Sequence, residues 1–248
     1  MTQAWLLIAI TLLAHGAAGL TGGLLSERWL VRHQSALVGF AAGAMLAAVF
    51  ADVLPESLHA FGPEALNWTF GGFIAMALIE WLVGHHHHKE EGAPQRALPA
   101  SLLMSDALHN LADGAAVAAA FLASPGVGAA VALATIAHEV PQEVGDYAVL
   151  RASGLSRSRA LLALAAVQLT SVAGALGIVL LAGHTREVTA IVLSIAAGTF
   201  LYIAATDLLP EIHAGRTAGE RRKRMLGFLA GVALILLVSA VLPHDAEH

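Results

Sequence analysis

Eight apolar stretches, each close to the length of a membrane-spanning helix, dominate this chain. They cover residues 4–25, 36–58, 66–84, 98–122, 127–151, 160–182, 188–209 and 225–242. A helix needs about 20 apolar residues to cross the hydrocarbon core of a bilayer. Because the stretches use most of the 248 residues, a separate soluble domain has no room. The sequence therefore predicts an all-α, polytopic membrane protein with eight transmembrane helices and a single domain over residues 1–248.

The composition excludes several chemistries. Apolar residues make up 57% of the chain and charged residues only 12%, far from a soluble globular protein. Cysteine is absent, which excludes disulfides, thiolate metal sites and cysteine nucleophiles. The first stretch begins almost at Met1 without a basic leader, so we expect it to be a retained helix rather than a signal peptide.

The basic residues predict the orientation. When the gaps between stretches are assigned alternately to the two sides, twelve of the 13 Lys and Arg residues fall on one side and only Arg186 on the other. The twelve are Arg28, Arg32, Lys89, Arg96, Arg151, Arg157, Arg159, Arg216, Arg221, Arg222, Lys223 and Arg224. Basic loops stay cytoplasmic, which predicts cytoplasmic loops at 26–35, 85–97, 152–159 and 210–224 and both termini outside. The run 221–224 is interpreted as an inside anchor, not a nucleic-acid site.

An internal repeat links the two ends of the chain. At an offset of 155 residues, Asp52-Val53-Leu54-Pro55-Glu56 matches Asp207-Leu208-Leu209-Pro210-Glu211. Five helices separate the copies, so the second crosses the membrane in the opposite sense. The sequence predicts an inverted 3+2+3 arrangement, with repeats 1–84 and 156–242 around the stretches 98–122 and 127–151. Inverted repeats are typical of transporters with a substrate site near the midplane. The alternative is that each motif only ends a helix at the membrane interface.

Ionisable residues occupy the middle of the two central stretches. The set contains two histidines and five carboxylates: His109, His138, Asp106, Asp113, Glu139, Glu143 and Asp146. Such groups are costly inside a membrane and are functional by default. His109 and Asp113 are four residues apart and so share a helix face, with Asn110 and Asp106 beside them. If the two helices run antiparallel through the turn 124–126, His109 and His138 face each other near the midplane.

This donor set favours a transition metal. Two imidazoles with carboxylate oxygens suit Zn²⁺, and also Fe²⁺, Mn²⁺, Co²⁺ or Cd²⁺, whereas Mg²⁺ and Ca²⁺ favour all-oxygen sites. Pro141 cannot donate to the carbonyl of Ala137, so we expect the fifth helix to be locally opened beside the ligands. His15 is interpreted as a buried hydrogen-bonding histidine rather than a ligand, and Gln168 and Ser171 as polar contacts to the site or between helices.

The chain resembles the ZIP (Zrt/Irt-like) family of divalent metal transporters. The matching motifs are His109-Asn110-Leu111-Ala112-Asp113-Gly114 and His138-Glu139-Val140-Pro141-Gln142-Glu143-Val144-Gly145-Asp146, close to the subgroup whose fifth helix carries H-E-x-P-H-E-x-G-D. The resemblance implies a primary site of His109, Asp113 and His138, with Asn110 and Glu139 around a neighbouring one. It also implies Met45 as a thioether contact, Asp52 near the entrance, homodimers and metal movement toward the cytoplasm.

One position departs from the family pattern. Gln142 stands where the subgroup has a second histidine, so the primary site loses a donor and the second metal position is in doubt. A separate feature is the four-histidine run His85 to His88, in the expected cytoplasmic loop 84–97. We interpret it as loose metal holding, with a dispensable solvated loop as the alternative.

The leading hypothesis is zinc transport toward the cytoplasm by alternating access, with Zn²⁺ as the substrate and no resident cofactor. The metal-site candidates are His109, Asn110, Asp113, His138, Glu139, Gln142, Met45, Glu143, Asp106 and Asp52. The rivals are a cation/proton antiporter and a metal-sensing membrane protein. An intramembrane zinc protease would need H-E-x-x-H, but Gln142 replaces the second histidine, so we expect no enzyme. The expected partners are a divalent metal ion, the bilayer and a second copy, without nucleic acid, in a multi-pass protein of the bacterial cytoplasmic (inner) membrane.

Overall fold

The computed structural model describes residues 2–21, 27–85, 97–182, 186–213, 215 and 217–242, and within these ranges the chain is helical apart from short turns. The prediction of an all-α fold is therefore confirmed. The ten α-helices of the described ranges are α1 (Thr2–Gly19), α2 (Glu27–Ala48), α3 (Leu54–Phe61), α4 (Ala65–His85), α5 (Ala97–Ala123), α6 (Pro125–Ala152), α7 (Arg157–Ala182), α8 (Arg186–Ile203), α9 (Leu209–His213) and α10 (Ala218–Val241).

Membrane-spanning potential is spread along the fold. Among the described residues, four stretches are long and apolar enough to cross a bilayer: Ser35–Leu82, Arg157–Leu181, Glu187–Thr206 and Ala218–Val241. The first is 48 residues long and contains most of α2 and most of α4, so it has the length for two crossings. Helices α5 and α6, with 27 and 28 residues, are long enough but carry the polar cluster. The chain is thus a polytopic membrane protein, and the count of eight crossings stays a prediction.

The outer surface suits a lipid environment. On α7, Leu162, Leu169 and Leu176 are all more than half exposed. They recur every seven residues, so they share one face of the helix. An apolar face of this kind would be unfavourable in water and is what a membrane helix presents to lipid.

Two π-helical turns carry the repeated motifs. The turns are Val49–Val53 and Ala204–Leu208, and they are separated by the same 155 residues as the motif copies. In each case Pro55 or Pro210 follows as the second residue of the next short α-helix. Proline lacks an N–H and its ring clashes with the carbonyl four residues earlier in an α-helix, so the wider π turn accommodates it. The inverted repeat itself stays a prediction.

Glycines allow helices from opposite ends of the chain to touch. A Cβ on Gly43 of α2 would lie 2.1 Å from the carbonyl oxygen of Phe228 on α10, and one on Gly198 of α8 would lie 1.9 Å from that of Thr69 on α4. Only glycine permits such backbone approach, as is common between membrane helices. Thus α2 packs on α10, and α4 packs on α8.

Two local expectations are corrected by the structure. The predicted loop 26–35 is helical from Glu27 onward, because helices extend beyond the apolar stretch that crosses the lipid. The turn predicted at 124–126 reduces to Ser124, whose side chain accepts a hydrogen bond from the Val127 amide while Pro125 begins α6. At Pro141, α6 continues as a helix, and the local opening expected from the missing backbone donor stays a prediction.

Candidate metal centre

The centre lies where α5 and α6 pack against each other near their middles. Both helices also contact α1 and α7, so the polar residues on their facing sides are enclosed by other helices. His109, Asn110 and Asp113 on α5 are at most 5% exposed, and His138 and Glu139 on α6 at most 1%. A charged group enclosed to this degree needs a partner ion or proton.

Three donor atoms converge at the core of the centre. His109 Nε2 lies 2.9 Å from His138 Nε2, and Asp113 Oδ2 lies 3.0 Å from His138 Nε2 and 3.6 Å from His109 Nε2. Ligands of a tetrahedral zinc ion, each about 2.0–2.1 Å from the metal, are about 3.4 Å from one another. The observed separations are within about half an ångström of that value. A Glu139 carboxylate oxygen completes a group of four donors lying within 4.8 Å of one another.

The hydrogen bond that His138 makes with the backbone determines which of its ring nitrogens faces Asp113. His138 Nδ1 lies 3.0 Å from the backbone carbonyl oxygen of Ala134, which can only accept, so Nδ1 carries the hydrogen. A neutral His138 therefore presents a bare Nε2 to Asp113 Oδ2, which is also an acceptor. Two lone pairs 3.0 Å apart repel unless a cation or a proton lies between them. A backbone carbonyl that orients a histidine in this way is typical of metal sites.

A second group of donors lies beside the first. Asn110 Nδ2 donates to Asp106 Oδ1 at 2.9 Å, which turns Asn110 Oδ1 toward α1, where it lies 2.8 Å from His15 Nε2. His15 Nε2 is also 3.8 Å from Glu139 Oε2. The structure therefore brings Asn110 and Glu139 together, as the neighbouring-site prediction requires, and adds His15, which was not among the predicted ligands.

The remaining carboxylates are held by side-chain amides. Gln142 Nε2 donates to Asp106 Oδ1 at 3.1 Å, on the same oxygen that accepts from Asn110. Gln168 on α7 donates to Glu139, and to Glu143 Oε1 at 2.7 Å. Gln142 thus contacts Asp106, and no hydrogen bond between Gln142 and either histidine occurs in the described part of the chain. The sequence identified Gln168 only as a polar residue that contacts the site or another helix. Its occurrence in an otherwise apolar helix was the one sign that it could bind the buried carboxylates.

Three other residues that the sequence singled out, Met45, Asp52 and Ser171, are buried in the bundle. Met45 is fully buried in the apolar core of the bundle, an environment that also fits simple packing. Asp52 is 1% exposed and accepts a 2.7 Å hydrogen bond from Ser239 on α10. Ser171 donates to the backbone of its own helix, at Gln168. The side chains of Asp207 and Glu211, and the histidine run apart from the backbone of His85, lie outside the described residues.

Sequence comparison decides the family. The profile of the ZIP zinc transporter family matches residues 83–239, well over half of the chain. The chain belongs to the ZIP family. The match includes the whole of α5 and α6, so this ZIP protein carries its buried His and carboxylate cluster inside the family's own region. ZIP proteins are transporters rather than enzymes, and the geometry at Gln142 gives the protease alternative no support.

Three relatives indicate the extent of the similarity. The chain is 42% identical over 153 residues to the zinc transporter ZIP4 of Mus musculus and 36% identical over 141 residues to the zinc transporter foi of Drosophila melanogaster. These matches cover 59% and 56% of the chain but only 23% and 20% of the relatives. The zinc transporter ZIP13 of Pongo abelii is 31% identical over 230 residues, covering 84% of the chain and 67% of that protein. All three are animal proteins, so they give no support to a bacterial inner membrane.

Proposed function

We propose that this protein transports divalent transition metal ions, zinc before others, across a membrane and toward the cytoplasm. One observation carries the proposal: His109 Nε2, His138 Nε2 and Asp113 Oδ2 converge within 3.6 Å, so that a neutral His138 turns a lone pair toward the carboxylate of Asp113. A divalent ion between these atoms supplies the missing positive charge. The zinc transporters named above support the choice of zinc.

The ligand chemistry discriminates among cations. Imidazole nitrogen binds borderline metals such as Zn²⁺, Cd²⁺, Fe²⁺ and Mn²⁺, whereas Na⁺, Mg²⁺ and Ca²⁺ prefer oxygen donors alone. Two imidazoles in the primary group therefore favour the transition metals. The same argument counts against the cation/proton antiporter, and membership of the ZIP zinc transporter family counts against the metal sensor.

The proposed mechanism is alternating access. The centre lies midway along two antiparallel helices and is enclosed on all sides by the bundle, so an ion reaches it only if the surrounding helices move. Opening toward the outside would admit the hydrated ion past Asp52, and His109, His138 and Asp113 would replace its water. Opening toward the inside would release it. The charge distribution of the loops, with twelve of 13 basic residues on one side, supports the orientation with both termini outside, and the family resemblance supports the inward direction of transport. A homodimer stays a proposal, supported by the family resemblance alone.

Uptake into proteoliposomes tests the proposal. We expect saturable Zn²⁺ and Cd²⁺ entry, followed by an internal fluorescent reporter, and no entry of Na⁺ or Mg²⁺. His109→Ala and Asp113→Ala should each lower uptake by about a hundredfold, the upper range for loss of a group that supports metal binding. His59→Ala, which removes an exposed histidine on α3, is the matched control. Uptake that survives both substitutions would refute the proposed site, and metal binding without any flux would refute transport.

A further inference from the structure

An aromatic ring from outside the donor group lies against His138. Phe200 on α8 is 1% exposed, and its ring centroid is 6.0 Å from that of His138 at an interplanar angle of 68°. Aromatic pairs favour this edge-to-face arrangement at centroid distances of about 4.5–7 Å. Phe200 was not among the predicted site residues, because nothing in its local sequence shows that it reaches the centre.

The polar contacts of His138 leave the tilt of its ring weakly constrained. Its Nδ1 donates to the carbonyl oxygen of Ala134 at 3.0 Å, and its Nε2 faces Asp113 and His109. Tilting the ring about the line through its two nitrogens moves neither nitrogen, so these contacts resist the tilt only weakly. The ring of His109 also lies edge-to-face on His138, but His109 is itself a candidate ligand. Among the described residues, Phe200 therefore supplies the ring contact that comes from outside the donor group.

Phe200 also occupies a significant position in the predicted repeat. At the offset of 155 residues, Ala41-Ala42-Gly43-Ala44-Met45 matches Ala196-Ala197-Gly198-Thr199-Phe200, so Phe200 is the counterpart of Met45. Both side chains are at most 1% exposed and belong to the same apolar cluster. Met45 is implied as a thioether contact by the family resemblance, whereas a phenyl ring cannot coordinate a metal. The contribution of Phe200 must therefore pass through the residue that it touches, His138.

We propose that Phe200 is a positioning residue that holds the imidazole of His138 in the orientation at which its Nε2 faces the metal ion. The inference deepens the proposed transport function and rests on it. Without the ring, His138 can tilt away from its ligand geometry, and the metal is bound more weakly and less regularly. The apolar ring also keeps water from that side of the imidazole, which is a common way in which the surroundings of a metal site tune its ligands.

Metal binding to the full-length protein in detergent tests the inference. Phe200→Leu removes the ring but keeps a large apolar side chain. We expect about tenfold weaker Zn²⁺ binding, where the upper range for an aromatic contact meets the lower range for lost support of a metal ligand. We also expect a weaker visible absorption band of bound Co²⁺, because a distorted site loses its tetrahedral character. Phe200→Met, which fills the space with a flexible chain, should give the same two changes.

Leu193→Ala is the matched control. Leu193 is 1% exposed and lies two turns before Phe200 on the same helix, and the substitution removes a similar amount of buried apolar side chain. It should lower the melting temperature while leaving Zn²⁺ affinity and the Co²⁺ spectrum unchanged. If it weakens binding as much as Phe200→Leu does, the effect comes from a loosened core and the inference is overturned.

Two further results separate the inference from the proposed function. If both Phe200 variants bind Zn²⁺ as tightly as the wild type and give its Co²⁺ spectrum, Phe200 only fills space and has no positioning role. Zn²⁺ uptake into proteoliposomes is measured on the same proteins. A wild type that binds Zn²⁺ but takes up none, with binding weakened in both Phe200 variants, would refute transport while leaving the positioning role intact.

Discussion

Gly114 offers a quantitative test of how closely helix packing and the metal centre are connected. It follows Asp113 on α5, and a Cβ built on it would lie 1.8 Å from the carbonyl oxygen of Ser171 on α7. Ordinary contact begins at 3.4 Å, so Gly114→Ala must separate the two backbones by about 1.6 Å. Both atoms belong to the main chain or are fixed to it, so no side-chain rotation relieves the clash.

The expected cost has a structural and a functional part. Overpacking costs about 1–3 kcal/mol, and the backbone contact places this substitution near 3 kcal/mol. That lowers the melting temperature in detergent by about 6–12 °C for a chain of this size. The shift also carries Asp113 away from His138, whose Nε2 lies 3.0 Å from it. A displacement of about 1 Å in a binding constellation reduces its efficiency about a hundredfold, so we expect Zn²⁺ uptake to fall by that factor.

Thermal unfolding and proteoliposome uptake measure the two parts separately. Gly177→Ala is the control, because a Cβ there meets nothing within 4 Å and the residue lies on the same helix as Ser171. It should leave uptake unchanged and should not lower the melting temperature, because alanine favours a helix more than glycine does. If Gly114→Ala behaves like Gly177→Ala, the helix contact is not what positions Asp113. A loss of stability without a loss of uptake would also refute the connection between packing and site.

Three further substitutions follow from the contacts described. Gln142→His should tighten Zn²⁺ binding by about tenfold, or about 1.4 kcal/mol, because it replaces the amide that donates to Asp106 with a metal-binding imidazole. Calorimetry measures the affinity, and an unchanged value would show that this position does not reach the metal. Ser239→Ala removes the 2.7 Å hydrogen bond to buried Asp52 and should destabilise the fold by about 1.5–3 kcal/mol in thermal unfolding, whereas Ser239→Thr should not. Thr217→Ala removes the N-cap of α10 and should lower the free energy of unfolding by about 1 kcal/mol without changing Zn²⁺ uptake. A loss of uptake would show that this cap also supports transport.

Helical periodicity accounts for much of the centre. A spacing of four residues places His109 and Asp113 on one face of α5, and an antiparallel α6 must then bring His138 opposite them. These relations need only local geometry. His15 and Gln168 were visible as polar residues in apolar helices, but their contacts depend on how α1 and α7 rotate and tilt against the centre. That orientation is set by backbone contacts such as that of Gly114 with Ser171, which no periodicity reveals.

The sequence also could not show what Gln142 does. Its position in the motif predicts a weak or missing ligand. Whether the amide turns toward the histidines or toward Asp106 depends on how α5 and α6 pack, and in the structure it shares Asp106 Oδ1 with Asn110. Competition among several donors for a few acceptors is decided in three dimensions, so the hydrogen bond to Asp106 appears only in the folded protein.

The packing of α2 on α10 has a consequence for how the protein is made. Gly43 and its contact at Phe228 lie far apart in the sequence, so the ribosome must synthesise α10 before α2 can close this contact. Until then the face of α2 that carries Gly43 is exposed to lipid or to proteins of the insertion machinery. The packing of α2 on α10 must therefore follow the insertion of α2 rather than accompany it. A chain that stops before residue 218 would keep every ligand of the metal centre and still lack the helix against which α2 closes.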